Sequence, residues 1–478
     1  MFISYKDALS ACLGKCCVLF IALGQHPHNN SNPKTFLTKI PGMALINRFF
    51  FSIIVLCFLC ILNPGAALSQ DKIKAYVQAN TVPIRNIAPD SVNYADLEAI
   101  GNAIGDAKIV FLGEQDHGDA PTFLAKTRLI KYLHEKKGFD VLAFESDFFG
   151  LTEGWNALPK NRQAMAPFIR KNIFPIWTWC NTCKELLFDY IPGSYETDRP
   201  LILTGFDDQL GLPYSAQNLV VKLDSVLQKR NIPLTKDSAY DTKILPLLKQ
   251  VYLENALTMD SAIINKRGAY LREIQKQIIA ATPSNDDYWI VIADNLVREN
   301  LQFGRSRENY WQRTNARDER MALNLKWLAE VKYPGKKIIA WAANAHVSKF
   351  NSHYPEEFLN PRKTMGGVFT ADSVWATQTY ILGFTSLTGT AGRIGTKKYD
   401  VPKPVSNSFE RWINADYSYS FTDFKTYNSS NPSADENFFM SGSFKSPELH
   451  TYQKAQWNRI FDGVFFIRIM YACEVTKY

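Results

Sequence analysis

KIVFLGEQDHG, residues 108–118, is an apolar, β-branched run that stops abruptly on carboxylates and an imidazole. Three later stretches repeat the pattern: VLAFESD (141–147), LILTGFDD (201–208) and KIIAWAANAHV (337–347). Apolar runs without polar alternation predict strands covered on both faces, as in parallel sheets. In open α/β sheets, ligands bind beyond the carboxyl ends of the strands. The four runs therefore place Glu114, His117, Glu145, Asp147, Asp207, Asp208, Asn344 and His346 along one rim. The expected fold class is α/β, a mostly parallel central sheet flanked by helices, with a polar, titratable crater at one edge.

Working outward, the loop after the first strand runs from Gly113 to Ala120. Asp119 is placed to cap the next helix, Pro121 suits its first turn, and Gly138 is a typical stop. Between 214 and 332, stretches such as NLVVKLDSVLQKR and RDERMALNLKWLAEV carry helical periodicity. They predict a helical insertion between the third and fourth strands. TYILGF (379–384) and RIFDGVFFIRI (459–469) read as further strands, and the polar stretches 387–407 and 427–446 as loops. The expected divisions are an N-terminal extension and signal (1–69), a first α/β part (70–213), the helical insertion (214–332) and a second α/β part (333–478).

A chain of 478 residues, 46% apolar, can bury one large core plus an insertion. Its formal charge of +8 is scattered, so no nucleic-acid partner is expected. From Met43 the text reads as a basic n-region, the apolar run FFFSIIVLCFLCIL, and small residues at Ala67-Leu68-Ser69. That is the form of an export signal, too short in its apolar run to span a bilayer. A periplasmic or secreted bacterial protein is expected, with no membrane span in the mature chain. Cys180 and Cys183 form a C-x-x-C, open to three readings: redox pair, half a zinc site, or local disulfide. No second C-x-x-C completes a zinc site, which favours a structural pair in an oxidising compartment.

Four groups of residues carry candidate chemistry. His117, on a loop flanked by Gly113 and Gly118, can take a proton from water, with Glu114 or Glu145 holding its tautomer. Asn344 and His346 sit among small residues at another strand end. Lys126 and Arg128 lie on the first helix, two residues apart. One of them should reach the rim as an oxyanion donor while the other faces solvent. Arg317 and Arg320 share a helix face, suited to binding a carboxylate or pairing with the rim's acids. G-x-S-x-G and H-E-x-x-H are absent, and no spacing is a metal signature.

These motifs, in order, resemble the erythromycin esterase family, which includes proteins annotated with succinoglycan biosynthesis. The matching pieces are LGEQDHG, FESD, FPIWTWCN, GFDDQ, RDERMA and WAANAHV, followed by MGGVF, ILGFT and FDGVFFI, spread over roughly residues 75–470. The resemblance implies a metal-independent, cofactor-free hydrolase of a macrolide lactone or another ester. It maps the essential base onto His117, the carboxylates onto Glu114 and Glu145, and a late histidine onto His346. Lys126 stands where the family has an arginine, and Arg128 is retained. The family's H-N-x-H reads Ala343-Asn344-Ala345-His346 here, so its first histidine is missing.

The expectation is a His-activated water attacking an ester or lactone carbonyl, with His117, Glu114, Glu145 and His346 catalytic. Lys126, Arg128, Asn344, Trp177, Trp179 and Arg317 would bind substrate. The alternatives are a ligand- or metal-binding protein on the same fold, and a homologue degenerate at Ala343.

Overall fold

The strands come first, because they carry the rim. In the computed structural model, which describes residues 64–254, 259–303, 310–349, 362–433, 436–441 and 453–476, they are β1 (Val82–Ile84), β2 (Ile109–Leu112), β3 (Phe139–Asp147), β4 (Ile202–Asp207), β5 (Lys337–Trp341) and β6 (Thr379–Ala391). β7 (Tyr399–Asp400), β8 (Tyr419–Asp423), β9 (Phe438–Met440), β10 (Gln453–Ala455) and β11 (Gly463–Met470) complete the set. The main sheet has the order β1-β8-β11-β6-β2-β5-β3-β4, with β7 paired to β6. From β11 across to β4 every neighbour is parallel, and β8 and β1 close one edge antiparallel.

Burial on both faces explains the continuous apolar runs. Ile109 and Phe111 of β2 enter one core with Val141, Ala143, Ile338 and Ala340. Val110 and Leu112 enter the opposite core with Leu142, Phe144, Ile339 and Trp341. The longer helices are α1 (Pro64–Asn80), α2 (Glu98–Ile104), α3 (Ala120–Lys137), α4 (Arg162–Asn172), α5 (Pro213–Lys229), α6 (Ser261–Ala280), α7 (Tyr288–Gln302), α8 (Tyr310–Trp327) and α9 (Phe424–Ser430). Helices α5 to α8 cover the first core through Leu219, Ile274, Ile292 and Leu325. Helix α3 and the segment 151–194 cover the second, so α3 is packed on two sides.

Register brings the rim together. Leu112 pairs with Trp341 and Leu382, and Phe144 pairs with Trp341 and Gly205, so four strands end at one level. A register shift between Phe144 and Asp147 falls where β3 carries Glu145.

Several expected details differ. Asp119 occupies the N-cap of α3, but its side chain makes no cap bond; its Oδ2 accepts from the Asp116 amide at 3.3 Å. Gly138 does end α3, at φ 77°. The last strand begins at Gly463, since Trp457–Ile460 is a helical turn. The stretches 387–407 and 427–446 are not plain loops: they contain the end of β6, β7, part of α9 and β9. The C-x-x-C is not a local pair, because Cys180 bonds Cys473 across 293 residues while Cys183 is a buried free thiol. The expected export signal falls, up to residue 63, outside the described residues. Among the described residues, no helix is long and apolar enough to cross a membrane.

Candidate active site

The loop after β2 carries the first histidine–carboxylate pair. Glu114 is fully buried, and both its oxygens are engaged. Oε1 lies 2.7 Å from His117 Nδ1 and accepts from Trp177 Nε1 at 3.2 Å; Oε2 accepts from Lys126 Nζ at 2.8 Å. The Trp177 ring stands edge-on to His117, with centroids 5.3 Å apart. Gly113 permits this crowding, since a Cβ there would meet Asn344 Oδ1 at 2.0 Å.

Electrostatics follow from that packing. Burial would push the Glu114 carboxyl up, but the Lys126 ammonium and the imidazole outweigh it and hold it below its usual value. Burial brings Lys126 down to about 8 despite its carboxylate partner. For His117, burial would favour the neutral ring, yet Glu145 and Glu114 together raise it above the ordinary imidazole value.

The second pair is assembled from distant segments. His346 sits on the helical turn Asn344–Val347 that follows β5. Its Nδ1 lies 2.7 Å from Asp318 Oδ1 on α8, and that oxygen also accepts from the Met365 amide at 3.0 Å. An ionised carboxylate only accepts, so in both pairs the proton sits on Nδ1 and Nε2 turns away from it.

Both Nε2 atoms face Glu145 Oε1, at 3.3 Å from His346 and 4.0 Å from His117. Arg317 Nη2 donates to the same oxygen at 2.9 Å and to Asp207 Oδ2 at 2.6 Å, and its Nη1 is 3.3 Å from His346 Nε2. Glu145 Oε2 accepts from the Ala343 amide at 3.0 Å. Burial opposes charge on Glu145, but the two imidazoles and Arg317 bring its carboxyl down to about 2. Exposure separates the roles: Arg317 keeps 18% of its side chain open, His117 11% and His346 9%, whereas Glu114 and Asp318 keep none. Three side chains therefore keep some exposed surface, and the two carboxylates paired with the histidines keep none.

Several expected binding residues lie elsewhere. Lys126 is fully buried, 3.8 Å over the Trp341 ring, and so supports Glu114 from behind instead of meeting a substrate. Arg128 is neither at the rim nor solvated: its Nη1 and Nη2 grip Asp96 at 3.0 and 2.6 Å and the carbonyls of Asn86 and Asn93. Asn344 is fully buried and exchanges bonds with the Phe384 backbone, 2.7 Å to its carbonyl and 3.1 Å from its amide. It ties β5 to β6. Trp179 is 48% exposed and its carbonyl accepts from the Thr476 amide at 2.8 Å, while Trp177 is buried in the site. Arg320 turns to Asp294 on α7. Asp147 and Asp208 are buried below the rim, and burial pushes the Asp147 carboxyl up to about 7. Asp318 was not among the expected site residues. Its neighbour Arg317 marked the right helix, but nothing local signals a contact with an imidazole 28 residues later.

The family model described as erythromycin esterase matches residues 134–470. That span holds Glu145, Trp177, Arg317, Asp318 and His346; Glu114 and His117 precede it. YbfO of Bacillus subtilis (strain 168), whose designation as a hydrolase is itself provisional, is 26% identical over 340 residues, 67% of this chain and 74% of that protein. Erythromycin esterase type II of Escherichia coli is 34% identical over 83 residues, 17% of this chain and 19% of that protein. Among solved structures, a mutant of the erythromycin esterase EreC in its open conformation superposes with a TM-score of 0.61 at 16% identity, covering 84% of this chain and 99% of that one. That likeness is one of fold.

Proposed function

This chain belongs to the erythromycin esterase family, and from that footing we propose that it is a hydrolase in which His117 activates water against an ester or lactone carbonyl. The carrying observation is the aim of His117: Nδ1 is committed to Glu114 at 2.7 Å, and Nε2 faces Glu145 across 4.0 Å at the open side. Two acceptors at that spacing can share one water, each at about 2.8 Å. The water then gives one proton toward His117 and one toward Glu145, which leaves a lone pair for the carbonyl carbon.

As the oxygen–carbon bond forms, Nε2 takes the water's proton and the carbonyl oxygen gains charge. Arg317, the most open cation of the cluster, with His346 beside it, meets that charge. A well-placed donor of this kind is worth about 3 kcal/mol of transition-state stabilisation. Collapse breaks the bond to the leaving oxygen, which takes the proton back from His117. Lys126 keeps Glu114 ionised, and Glu114 keeps the imidazole oriented.

The disulfide Cys180–Cys473 supports export to an oxidising compartment. Ala343 presents no imidazole where the family has one; its amide holds Glu145 instead. Hydrolysis is therefore tested on simple aryl esters as well as macrolide lactones. His117→Gln should cut kcat by about 10²- to 10⁴-fold in a folded protein. Full turnover by that variant would remove the proposed base.

A further inference from the structure

The C-terminal segment 471–476 crosses two loops that supply the two partners of one carboxylate oxygen. On the His117 side, the Cys473 amide donates to the Gly118 carbonyl at 2.8 Å, and the Ala120 amide donates to the Tyr471 carbonyl at 3.1 Å. On the Trp177 side, the Thr476 amide donates to the Trp179 carbonyl at 2.8 Å and the Asn181 amide to the Glu474 carbonyl at 3.0 Å. Short antiparallel bridges, Asp119 with Ala472 and Cys180 with Val475, mark the same two crossings. Cys473 is also bonded through sulfur to Cys180, so one residue is tied to both loops.

Those loops matter because His117 Nδ1 and Trp177 Nε1 converge on Glu114 Oε1, at 2.7 and 3.2 Å. The relative position of the two loops decides whether both bonds can be made at once. Neither crossing belongs to a ladder of the main sheet. Free Cys183 is no substitute partner: it is buried, and burial holds its thiol well above the ordinary range.

We propose that the strap 471–476, locked by Cys180–Cys473, is a positioning element that holds the Trp177 turn and the His117 loop in register around Glu114. The disulfide then serves the geometry of the base as well as the stability of the chain. This rests on His117 being the base, and its test has a readout that needs no substrate. Around His117 the charged groups include Glu114 and Asp116 on its own loop, Lys126 of α3 behind Glu114, Glu145 from β3 and Arg393 from the loop after β6. Opening the strap loosens the Glu114 contact and leaves the others in place.

The experiment uses the full chain carrying both Cys180→Ser and Cys473→Ser. In parallel, folded wild-type protein is reduced by dithiothreitol, which supplies two electrons and two protons to the bond and closes to its own cyclic disulfide. Near-ultraviolet circular dichroism reports packing, NMR reports the His117 titration, and ester hydrolysis reports kcat and KM. Without the bond, the imidazole titration should fall toward its ordinary value of about 6.5. kcat should drop about tenfold or more with KM held. Trp177→Phe, which keeps an aromatic ring but loses the indole N–H that holds Glu114 Oε1, should also lower kcat, and adding the serine pair to it should add nothing to that loss.

An unmoved His117 titration in the folded, disulfide-free protein overturns the proposal, as does an additive loss in the triple variant. Loss of the near-ultraviolet signal on reduction also overturns it, since the bond then holds the fold and not the pair. If wild-type protein cleaves no ester, the reading of function fails, while the titration still decides the strap.

Discussion

His117 leans on Glu114 from its own loop, three residues away, whereas His346 leans on Asp318 from a helix 28 residues earlier in the chain. Both turn Nε2 toward Glu145, but their surroundings differ. Behind His117 stands a carboxylate saturated by Lys126 and Trp177, and its Nε2 faces Glu145 at 4.0 Å. Beside His346 lies Arg317, 3.3 Å from Nε2. A base needs a charged backing and an open acceptor. A group that works where negative charge develops needs a cation at its side. On the proposed mechanism, two similar pairs around one glutamate divide the labour by their neighbours.

The sharpest way to break this division is to neutralise each backing carboxylate in turn. Glu114→Gln removes the charge behind His117 and adds an amide N–H that can face Nδ1, so the tautomer is no longer fixed and kcat should fall about 10³-fold. Asp318→Asn leaves His346 with Arg317 and Glu145 still at hand, so its loss should be nearer tenfold. Steady-state kinetics on the two purified variants decide it. Equal losses would mean that the pairs are equivalent and the assignment of one base is wrong.

The two pairs also differ in how far they could be read from sequence. Glu114 and His117 fall on one short loop after a buried strand, so strand termini alone bring them together. Glu145 and His346 were legible for the same reason, since parallel strands of matched register end at one level. Asp318 was not, because its role exists only once α8 docks on the strand ends. Lys126 and Arg128 were misjudged through the assumption that a helix has a wet face. Helix α3 lies between the sheet and the 151–194 segment, so residues two apart are both buried, each against its own acid. The pairing of Cys180 with Cys473 was equally hidden, as spacing says nothing about a partner 293 residues away.

A smaller effect sharpens the comparison through pH. Among the described residues, the His117 pair has a titrating ammonium, Lys126, behind it. As pH rises through the raised His117 value, Nε2 loses its proton and the rate should climb, on a limb above the ordinary imidazole position. As pH passes about 8, Lys126 loses its charge, Glu114 is left uncompensated, and the rate should fall again. Lys126→Met should abolish the falling limb and move the rising limb upward, because Glu114 then acts on His117 undiluted. A kcat/KM profile that superimposes on wild type would separate Lys126 from the base.

The smallest effect on activity belongs to the cation that the structure moves out of the site. Arg128 and Lys126 sit two residues apart on α3, yet one grips Asp96 and the other Glu114. Arg128 is buried, and its forked contact also satisfies the carbonyls of Asn86 and Asn93, so it pins the segment between β1 and α2 onto α3. Arg128→Lys keeps the charge but cannot make the two-pronged contact. Breaking a buried pair outright costs about 3–5 kcal/mol, so this milder change should lower stability by less than that. The folded fraction should keep kcat within about twofold, since surplus structure far from the rim contributes nothing to charge at the carbonyl oxygen. Denaturant unfolding with activity normalised to folded protein measures both. A tenfold fall in kcat with stability intact would return Arg128 to the chemistry and erase the distinction between the two cations.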